Sequence, residues 1–293
     1  MPSRQNTKSI LHDRKLAPKK RFGQNFLVNK DMVHRIIHKA APKPTDTIIE
    51  FGVGLGALTH PLAAQVERVI GLEVDSGIVR MHQEQNELPE NVTLLHEDIM
   101  KADFPRLAEM AGGRMKIIAN LPYSVSNPLL FKLIEHAEIM DSAVLMLQKE
   151  VGQRLVAKHS TKDYGVLSVL LGSKASVELL MTLGPGNFHP RPKVDSVVVK
   201  IVFHPKPKRV EELPPHDYIL LKKIVKAAFQ QRRKTLLNAL SGAVGSLKSS
   251  KVAIKENILK TGLSEKRRPD TLTLEEYITL TRVFAETSEQ DGS

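Results

Sequence analysis

Four consecutive residues near the middle of the chain combine an amide, backbone carbonyls and an aromatic ring. Asn120, Leu121, Pro122 and Tyr123 directly follow residues 115–119, an apolar run typical of a short buried strand. Because proline cannot continue a strand, we predict a loop at the strand's carboxyl end, the edge of an α/β sheet where ligands bind. Asn120 and a carbonyl of Leu121 or Pro122 can accept both hydrogens of an exocyclic amine, while Tyr123 stacks on a planar base. A strand-ending turn with a buried tyrosine explains the same residues, so the interpretation depends on what precedes them.

A glycine-rich turn earlier in the chain indicates a nucleotide site. Residues 47–51 form a predicted strand, and Gly52, Gly54 and Gly56 follow at once, ahead of an apolar helix. Glycines in such a turn let the backbone bend tightly and approach a ligand closely. The next strand ends at Glu73, 17 positions after the last of these glycines, close to the ~20 expected for a carboxylate that bonds ribose hydroxyls.

A third predicted strand, residues 92–96, leads into Asp98 and Ile99. A carboxylate followed by an apolar side chain can bond the amine of adenine and pack on its ring. Taken alone, Asp98 is better explained as a helix N-cap or a loop carboxylate.

The strands that carry these motifs alternate with helical patterns, which predicts an α/β fold. Further strands are expected at residues 142–147, 177–183 and 195–203. The last two could pair antiparallel, because the loop between them is short and rich in proline and glycine.

The predicted domains meet at a linker rich in proline and lysine that follows the last strand. Beyond it, residues 218–285 are helical in pattern. We therefore predict a first domain over residues 1–205, with 1–20 as a flexible basic arm, and a helical domain over residues 206–293.

Positive charge is concentrated at the two ends of the chain. The formal net charge of +11 divides into +7 over residues 1–30, −2 over residues 31–205 and +6 over residues 206–293. This asymmetry indicates a polyanion held by the flanking segments, and we favour nucleic acid over a set of solvated lysine faces.

Three basic segments are candidates for contacts with phosphates. They are Lys19, Lys20 and Arg21, next to interleaved phenylalanines; Arg191 and Lys193, in the loop rich in proline and glycine; and Arg232, Arg233 and Lys234, within a helical pattern. An ordinary N-terminal arm and a solvated helix face explain the first and third segments about equally well. Phe188 lies in the same loop as Arg191, and it could either flank a bound base or pack back on the protein.

Composition excludes several classes of site. The chain has no cysteine, so disulfides, thiolate metal sites and a cysteine nucleophile are excluded. His34 and His38 are spaced as in a zinc protease helix, but Arg35 stands where the catalytic glutamate would be, so we predict no metal. The basic N-terminus lacks the apolar core of a secretory signal, and no apolar run approaches membrane-spanning length, so we expect a cytoplasmic protein that does not enter the membrane.

Taken in order, these motifs resemble the KsgA/RsmA-type rRNA adenine N6,N6-dimethyltransferases of the small ribosomal subunit, along nearly the whole chain. The segments that carry the resemblance are residues 22–27, residues 50–59, Glu73, Asp98, residues 120–123, residues 188–196 and residues 229–236. One departure is Val53, where the family usually has proline. The neighbouring glycines remain, so we expect cofactor binding to persist.

The resemblance implies a Rossmann-like class I methyltransferase sheet of seven strands, one of them antiparallel, and a small all-helical C-terminal domain that binds RNA. It implies S-adenosylmethionine as methyl donor, and two adjacent adenines in a hairpin loop of 16S rRNA as acceptors of two methyls each. The immature small subunit would be the partner, and the protein a monomer. The residues expected at the cofactor are Asn25, Leu27, Gly52, Gly54, Glu73, Asp98, Ile99 and Asn120.

Three alternatives remain open. A dehydrogenase would use residues 52–57 as G-x-G-x-x-A and Glu73 for NAD, but it leaves residues 120–123 and the basic ends unexplained. A large-subunit rRNA methyltransferase of the erythromycin-resistance type shares the catalytic motifs, although residues 229–236 resemble the small-subunit branch. A non-enzymatic assembly factor could keep the fold, although the intact motif at 120–123 argues for catalysis.

Overall fold

The computed structural model describes residues 23–247 and 249–290. Its chain divides into two compact units: residues up to Gly152 with Val177–Pro205, and Gln153–Ser176 with the residues from Lys206 onward. The predicted boundary at 205/206 placed residues 153–176 in the first domain, whereas they pack with the C-terminal helices.

Seven strands of the described chain form the sheet of the first unit. They are β2 Thr47–Phe51, β3 Arg68–Glu73, β4 Val92–His96, β5 Met115–Asn120, β6 Met140–Gln148, β7 Ser176–Leu183 and β9 Ser196–Val202. Their order is β4-β3-β2-β5-β6-β9-β7. The first five strands in this order, β4, β3, β2, β5 and β6, are parallel to one another, and β9 runs antiparallel to β6. The predicted methyltransferase sheet with an antiparallel strand is confirmed.

A separate two-stranded ribbon pairs two distant pieces of the first unit. β1 (Phe26–Leu27) lies antiparallel to β8 (Phe188–His189), with Leu27 opposite Phe188. The segment before the first helix is thereby attached to the loop between β7 and β9. No local pattern predicted this pairing.

The helices that begin in the first unit alternate with its strands along the chain. They are α1 Lys30–Ala40, α2 Thr59–Ala63, α3 Ser76–Gln85, α4 Phe104–Met110, α5 Tyr123–Glu135 and α6 Lys149–Leu155. Asn29 caps α1 by accepting the N–H groups of Asp31 and Met32. β2 buries Ile48, Ile49 and Phe51 almost completely, as expected for a strand covered on both faces.

The second unit is helical. Its helices are α7 Val166–Gly172, α8 Lys208–Glu211, α9 Tyr218–Gln230, α10 Leu236–Ser241, α11 Val244–Leu247, α12 Lys251–Lys260 and α13 Leu274–Gln290. α7 buries five consecutive residues and contacts α9, which explains why it belongs to this unit. Phe229 lies between Tyr164 and Tyr277, with ring centroids 6.0 and 6.1 Å away, and forms an aromatic core.

In the described part of the chain, no helix is both long enough and apolar enough to cross a membrane. The same residues contain no group of three or more histidines and carboxylates placed to hold a metal ion. His34 and His38 both lie on the exposed face of α1.

Candidate active site

The glycine turn joins β2 to α2 and is fixed to the end of β3. Gly52, Gly54 and Gly56 have φ angles of +80°, +54° and +76°, a region that glycine occupies without strain. The N–H of Gly54 donates to the carboxylate of Glu73 at 2.9 Å. The centre of the turn is therefore held by the neighbouring strand, while Gly52 and Gly54 line the cleft.

Glu73 presents a buried carboxylate in the cleft. One oxygen accepts the N–H of Gly54, and the other accepts the N–H of Asp75 at 2.8 Å. Burial raises the pKa of Glu73 above its ordinary value, while these two hydrogen bonds act in the opposite direction. Each carboxylate oxygen retains a further lone pair, which suits two vicinal hydroxyls of a ribose.

Glu50, in β2, is a cleft residue that the sequence analysis did not select. Its side chain is 1% exposed, and among the described residues its Oε2 has no hydrogen-bond partner. Burial raises the pKa of this carboxyl to about 8, and the nearby Glu73 adds to the shift while Thr59 opposes it. An acid inside an otherwise apolar strand was the signal that could have identified it.

Asn120 ends β5 with its side chain oriented by the N-terminal segment. Its amide nitrogen donates to the backbone carbonyl of Asn25 at 3.0 Å. The amide of Asn25 in turn donates to the carbonyl of Gly23 at 3.1 Å. Because the nitrogen of Asn120 is engaged, its Oδ1 remains as an acceptor at the mouth of the cleft.

The carbonyls that follow Asn120 differ in availability. The carbonyl of Pro122 accepts the N–H of Val125 at 3.1 Å and the hydroxyl of Ser126 at 3.3 Å, in the first turn of α5. These bonds favour the carbonyl of Leu121 as the second acceptor for an amine. Leu121 itself is 2% exposed and lines the cleft.

Tyr123 is the first residue of α5 and is half-buried. Its hydroxyl forms a hydrogen bond of 2.8 Å with the hydroxyl of Ser196, at the start of β9. Burial raises the pKa of Tyr123, and the bond to Ser196 acts against that shift. The phenol is therefore neutral at physiological pH, and its ring is held in place from its far end.

The cleft lies at the edge of the sheet where β2 and β5 end. Of the residues predicted at the site, it is lined by Asn25, Leu27, Gly52, Gly54, Glu73, Ile99, Asn120, Leu121 and Pro122. Residues that the sequence analysis missed also line it: Gln24, Phe26, Glu50, Val53, Leu55, Ala57, Leu58, Leu72 and Val74.

Asp98 lies beside the cleft but does not line it. One carboxylate oxygen accepts the N–H of Met100 at 2.9 Å, so this residue caps the turn after β4. Its neighbour Ile99 is a lining residue, 9% exposed. A loop carboxylate, the simpler explanation of Asp98, describes its contacts, and its role toward adenine stays a prediction.

Two predicted roles need correction. Phe188 is 1% exposed and packs in the core with Leu27, because the pairing of β8 with β1 directs its ring inward; it is not free to stack on a base. Arg232, whose side chain is 33% exposed, binds the carboxylate of Asp270 and the carbonyls of Thr161 and Lys162. Its guanidinium holds a loop of its own unit.

The other basic residues keep their predicted roles as proposals. Arg191, Lys193, Arg233 and Lys234 are exposed. Lys19, Lys20 and Arg21, like the arm over residues 1–20, lie outside the described residues.

A protein-family model described as ribosomal RNA adenine dimethylase matches residues 16–280. The chain belongs to the ribosomal RNA adenine dimethylase family. The resemblance found in the sequence motifs is thereby confirmed, and the dehydrogenase alternative is set aside.

Curated relatives match over nearly the whole chain. A protein of Desulfotalea psychrophila named ribosomal RNA small subunit methyltransferase A is 47% identical, over 97% of both chains. One of the same name from Alkaliphilus metalliredigens is 38% identical, over 95% of this chain and 96% of the relative.

Solved structures share the fold. A dimethyladenosine transferase from Plasmodium falciparum has a TM-score of 0.72 and 26% identity, covering 90% of this chain and 98% of that chain. The 23S rRNA methyltransferase ErmE has a TM-score of 0.63 and 20% identity, covering 89% of this chain and 100% of that chain. At that identity, the second similarity supports the fold alone.

Proposed function

We propose that this protein transfers methyl groups from S-adenosylmethionine to the N6 amines of adenines in small-subunit ribosomal RNA. The observation that carries the proposal is the orientation of Asn120: its amide nitrogen is bound by the Asn25 carbonyl at 3.0 Å, which leaves Oδ1 as an acceptor beside the cleft. The acceptors and aromatic face of this loop match an adenine and its exocyclic amine.

The cleft residues fit S-adenosylmethionine. The unpaired oxygen of Glu50 suits a cationic ligand, since a buried carboxylate without a partner is costly. Gly52 and Gly54 offer backbone at a curved surface, and Glu73 suits the ribose. Ile99 would pack on the adenine of the cofactor. When bound, the cofactor supplies a methyl group already activated on a sulfonium sulfur.

The loop residues would align the acceptor amine. The lone pair of an adenine amine is delocalised into its ring, so the nitrogen is a poor nucleophile. Oδ1 of Asn120 and the carbonyl of Leu121 would accept its two hydrogens, hold it in line and favour a pyramidal nitrogen. Tyr123 would stack on the extruded base, its ring fixed through Ser196. The nitrogen that receives the methyl loses one proton to water.

A second methyl transfer makes a different demand on the same loop. A monomethylated amine has one hydrogen left, so it can satisfy Asn120 or Leu121 but not both. The loop must therefore hold the base with one hydrogen bond fewer and leave room for the first methyl. Dimethylation is consistent with stacking by Tyr123 as the interaction that persists through both steps.

In this proposal, the substrate is a pair of adjacent adenines in a hairpin loop of 16S rRNA, and the immature small subunit presents them. Support comes from the relatives named small subunit methyltransferase A and from the positive charge of both chain ends. The helical second unit binds RNA in this proposal, with Arg233 and Lys234 on its exposed surface. The protein acts as a monomer in the cytoplasm.

The experiment incubates the protein and S-adenosylmethionine with small subunits that lack the methylation, and then analyses the nucleosides by mass spectrometry. We expect N6,N6-dimethyladenosine with the wild type and with the control Asn127→Ala, which removes an exposed amide of α5. We expect almost none with Asn120→Ala. Monomethyladenosine alone at long times would overturn dimethylation.

Two further outcomes separate the alternatives. Methylation of large-subunit RNA, with none of small subunits, would assign the protein to the erythromycin-resistance type. Tight binding to small subunits without any methylated product would identify a non-enzymatic assembly factor.

A further inference from the structure

A lysine outside the cleft holds the backbone of the loop that follows β4. The carbonyls of Ile99, Met100 and Ala102 converge on Nζ of Lys132, at 3.0, 3.1 and 2.7 Å. An ammonium group has three N–H donors, so this loop occupies all of them. Hydrogen bonds from a charged donor are stronger than those between neutral groups.

The ammonium is also held from the side. Its nitrogen lies 4.2 Å from the ring centroid of Phe104, which is 1% exposed. That ring stacks on Phe51, with centroids 5.8 Å apart, and Phe51 lies directly before Gly52 of the glycine turn. Lys132 is therefore anchored to the body of the site as well as to the loop.

Lys132 also belongs to the helix that begins at the catalytic loop. α5 starts at Tyr123 and places Lys132 in its third turn. One side chain thus connects the helix after Asn120 with the loop that contributes Ile99 to the cleft. Lys132 itself does not line the cleft.

We propose that Lys132 is a positioning residue that fixes the loop over residues 98–103, and through it the recognition of the cofactor's adenine by Asp98 and Ile99. This inference rests on the proposed function, because it assumes that the loop meets the adenine of S-adenosylmethionine. Loss of the ammonium frees three carbonyls, and the loop then holds Asp98 less firmly against the adenine amine. A purely structural lysine would affect stability without changing which base the cleft prefers.

The test measures the dissociation constants of S-adenosylhomocysteine and S-inosylhomocysteine, which differ at the purine 6-position, an amine in the first and a carbonyl oxygen in the second. The wild type should prefer the adenine form. With Lys132→Met, we expect affinity for S-adenosylhomocysteine to fall about tenfold and that for S-inosylhomocysteine much less, so that the preference falls at least threefold. Lys132→Arg keeps the charge, but its planar fork does not match three converging carbonyls, so an intermediate preference is expected.

Lys116→Met is the matched control. Lys116 is also half-buried and pairs with Asp46 at 2.6 Å, but it lies at the opposite end of β5 from Asn120. All variants are measured at temperatures where each is folded, and Lys132→Arg carries the test if Lys132→Met does not fold. An unchanged preference in the folded Lys132 variants, or an equal loss in Lys116→Met, would overturn the role of Lys132. If the wild type binds both compounds equally well, that result contradicts the proposed contact between Asp98 and adenine, on which the role of Lys132 rests.

Discussion

Glu50 brings a buried carboxylate to the cleft at a cost in stability. Its pKa is raised by burial from 4.5 to about 8, so between these values the folded protein holds a proton that the unfolded chain releases. The free energy of unfolding contributed by this group therefore falls as pH rises through that interval. This cost in stability fits the proposed role of Glu50 in binding a cationic ligand.

Glu50→Gln should remove this pH dependence. At pH 4, below both pKa values, the carboxyl is mostly protonated in the folded and the unfolded chain alike, so the melting temperatures should agree closely. At pH 8.5 the variant should melt at a higher temperature than the wild type, because an amide needs no ionisation. Differential scanning calorimetry would check this, with the exposed Glu67→Gln as control. If the variant melts no higher than the wild type at pH 8.5, burial of Glu50 does not raise its pKa in the way described.

Ligand binding should release a proton from the same residue. At pH 7 a carboxyl with a pKa of about 8 is mostly protonated, and the ammonium group of S-adenosylhomocysteine favours its ionised form. Calorimetric titration in buffers of different ionisation enthalpy should show close to one proton released by the wild type and almost none by Glu50→Gln. Equal release by both proteins would place the ligand's cation elsewhere.

The glycine turn depends on close packing against the strand beneath it. A Cβ at Gly71, in β3, would lie 2.4 Å from Cγ2 of Val53, the residue between the first two glycines of the turn. β3 therefore needs glycine at this position, because any side chain there would clash with Val53 of the turn.

Gly71→Ala should destabilise the protein by about 1–3 kcal/mol, because it overpacks this contact, and should weaken binding of S-adenosylhomocysteine. Adding Val53→Ala removes the opposing methyl groups and should recover part of both losses. Urea unfolding and calorimetric titration measure the two effects. Gly186→Ala, where a Cβ meets open space, is the control. If the loss caused by Gly71→Ala and the loss caused by Val53→Ala simply add in the double variant, the contact does not hold the turn in place.

Patterns within one element predicted the frame of the site. The run from β2 through the glycine turn to Glu73, and the loop after β5, are contiguous in sequence and follow from local periodicity and from proline and glycine chemistry. The bond between Asn120 and Asn25 joins residues 95 positions apart. No local pattern encodes that bond, nor the pairing of β1 with β8 that buries Phe188.

The division of the whole molecule was harder to predict for the same reason. α7 is an apolar segment without a distinguishing pattern, and only its packing on α9 assigns it to the second unit. Charge alone did not separate Arg232, which binds Asp270, from the exposed Arg233 beside it. Net charge predicted a polyanion partner, but the role of each cation depends on which groups the fold places near it.

Neighbouring arginines of the second unit should therefore behave differently. Arg232→Ala breaks a charged network and should lower the stability of the protein by about 2 kcal/mol. Arg233→Ala should leave stability unchanged, weaken binding to small subunits, and reduce the salt dependence of that binding by about one unit of slope. Thermal melts and salt titrations check both. Equal salt slopes for the wild type and Arg233→Ala would remove this residue from the RNA surface.

The central claim, that Oδ1 of Asn120 aligns the adenine amine, is tested most directly by the single-turnover rate of Asn120→Ala on small subunits at saturating S-adenosylmethionine, together with its affinity for the cofactor. We predict a rate about 10²-fold or more below that of the wild type, corresponding to about 3 kcal/mol in the barrier, and a cofactor affinity within a few-fold. A variant that binds the cofactor normally and methylates adenine at the wild-type rate would contradict the claim.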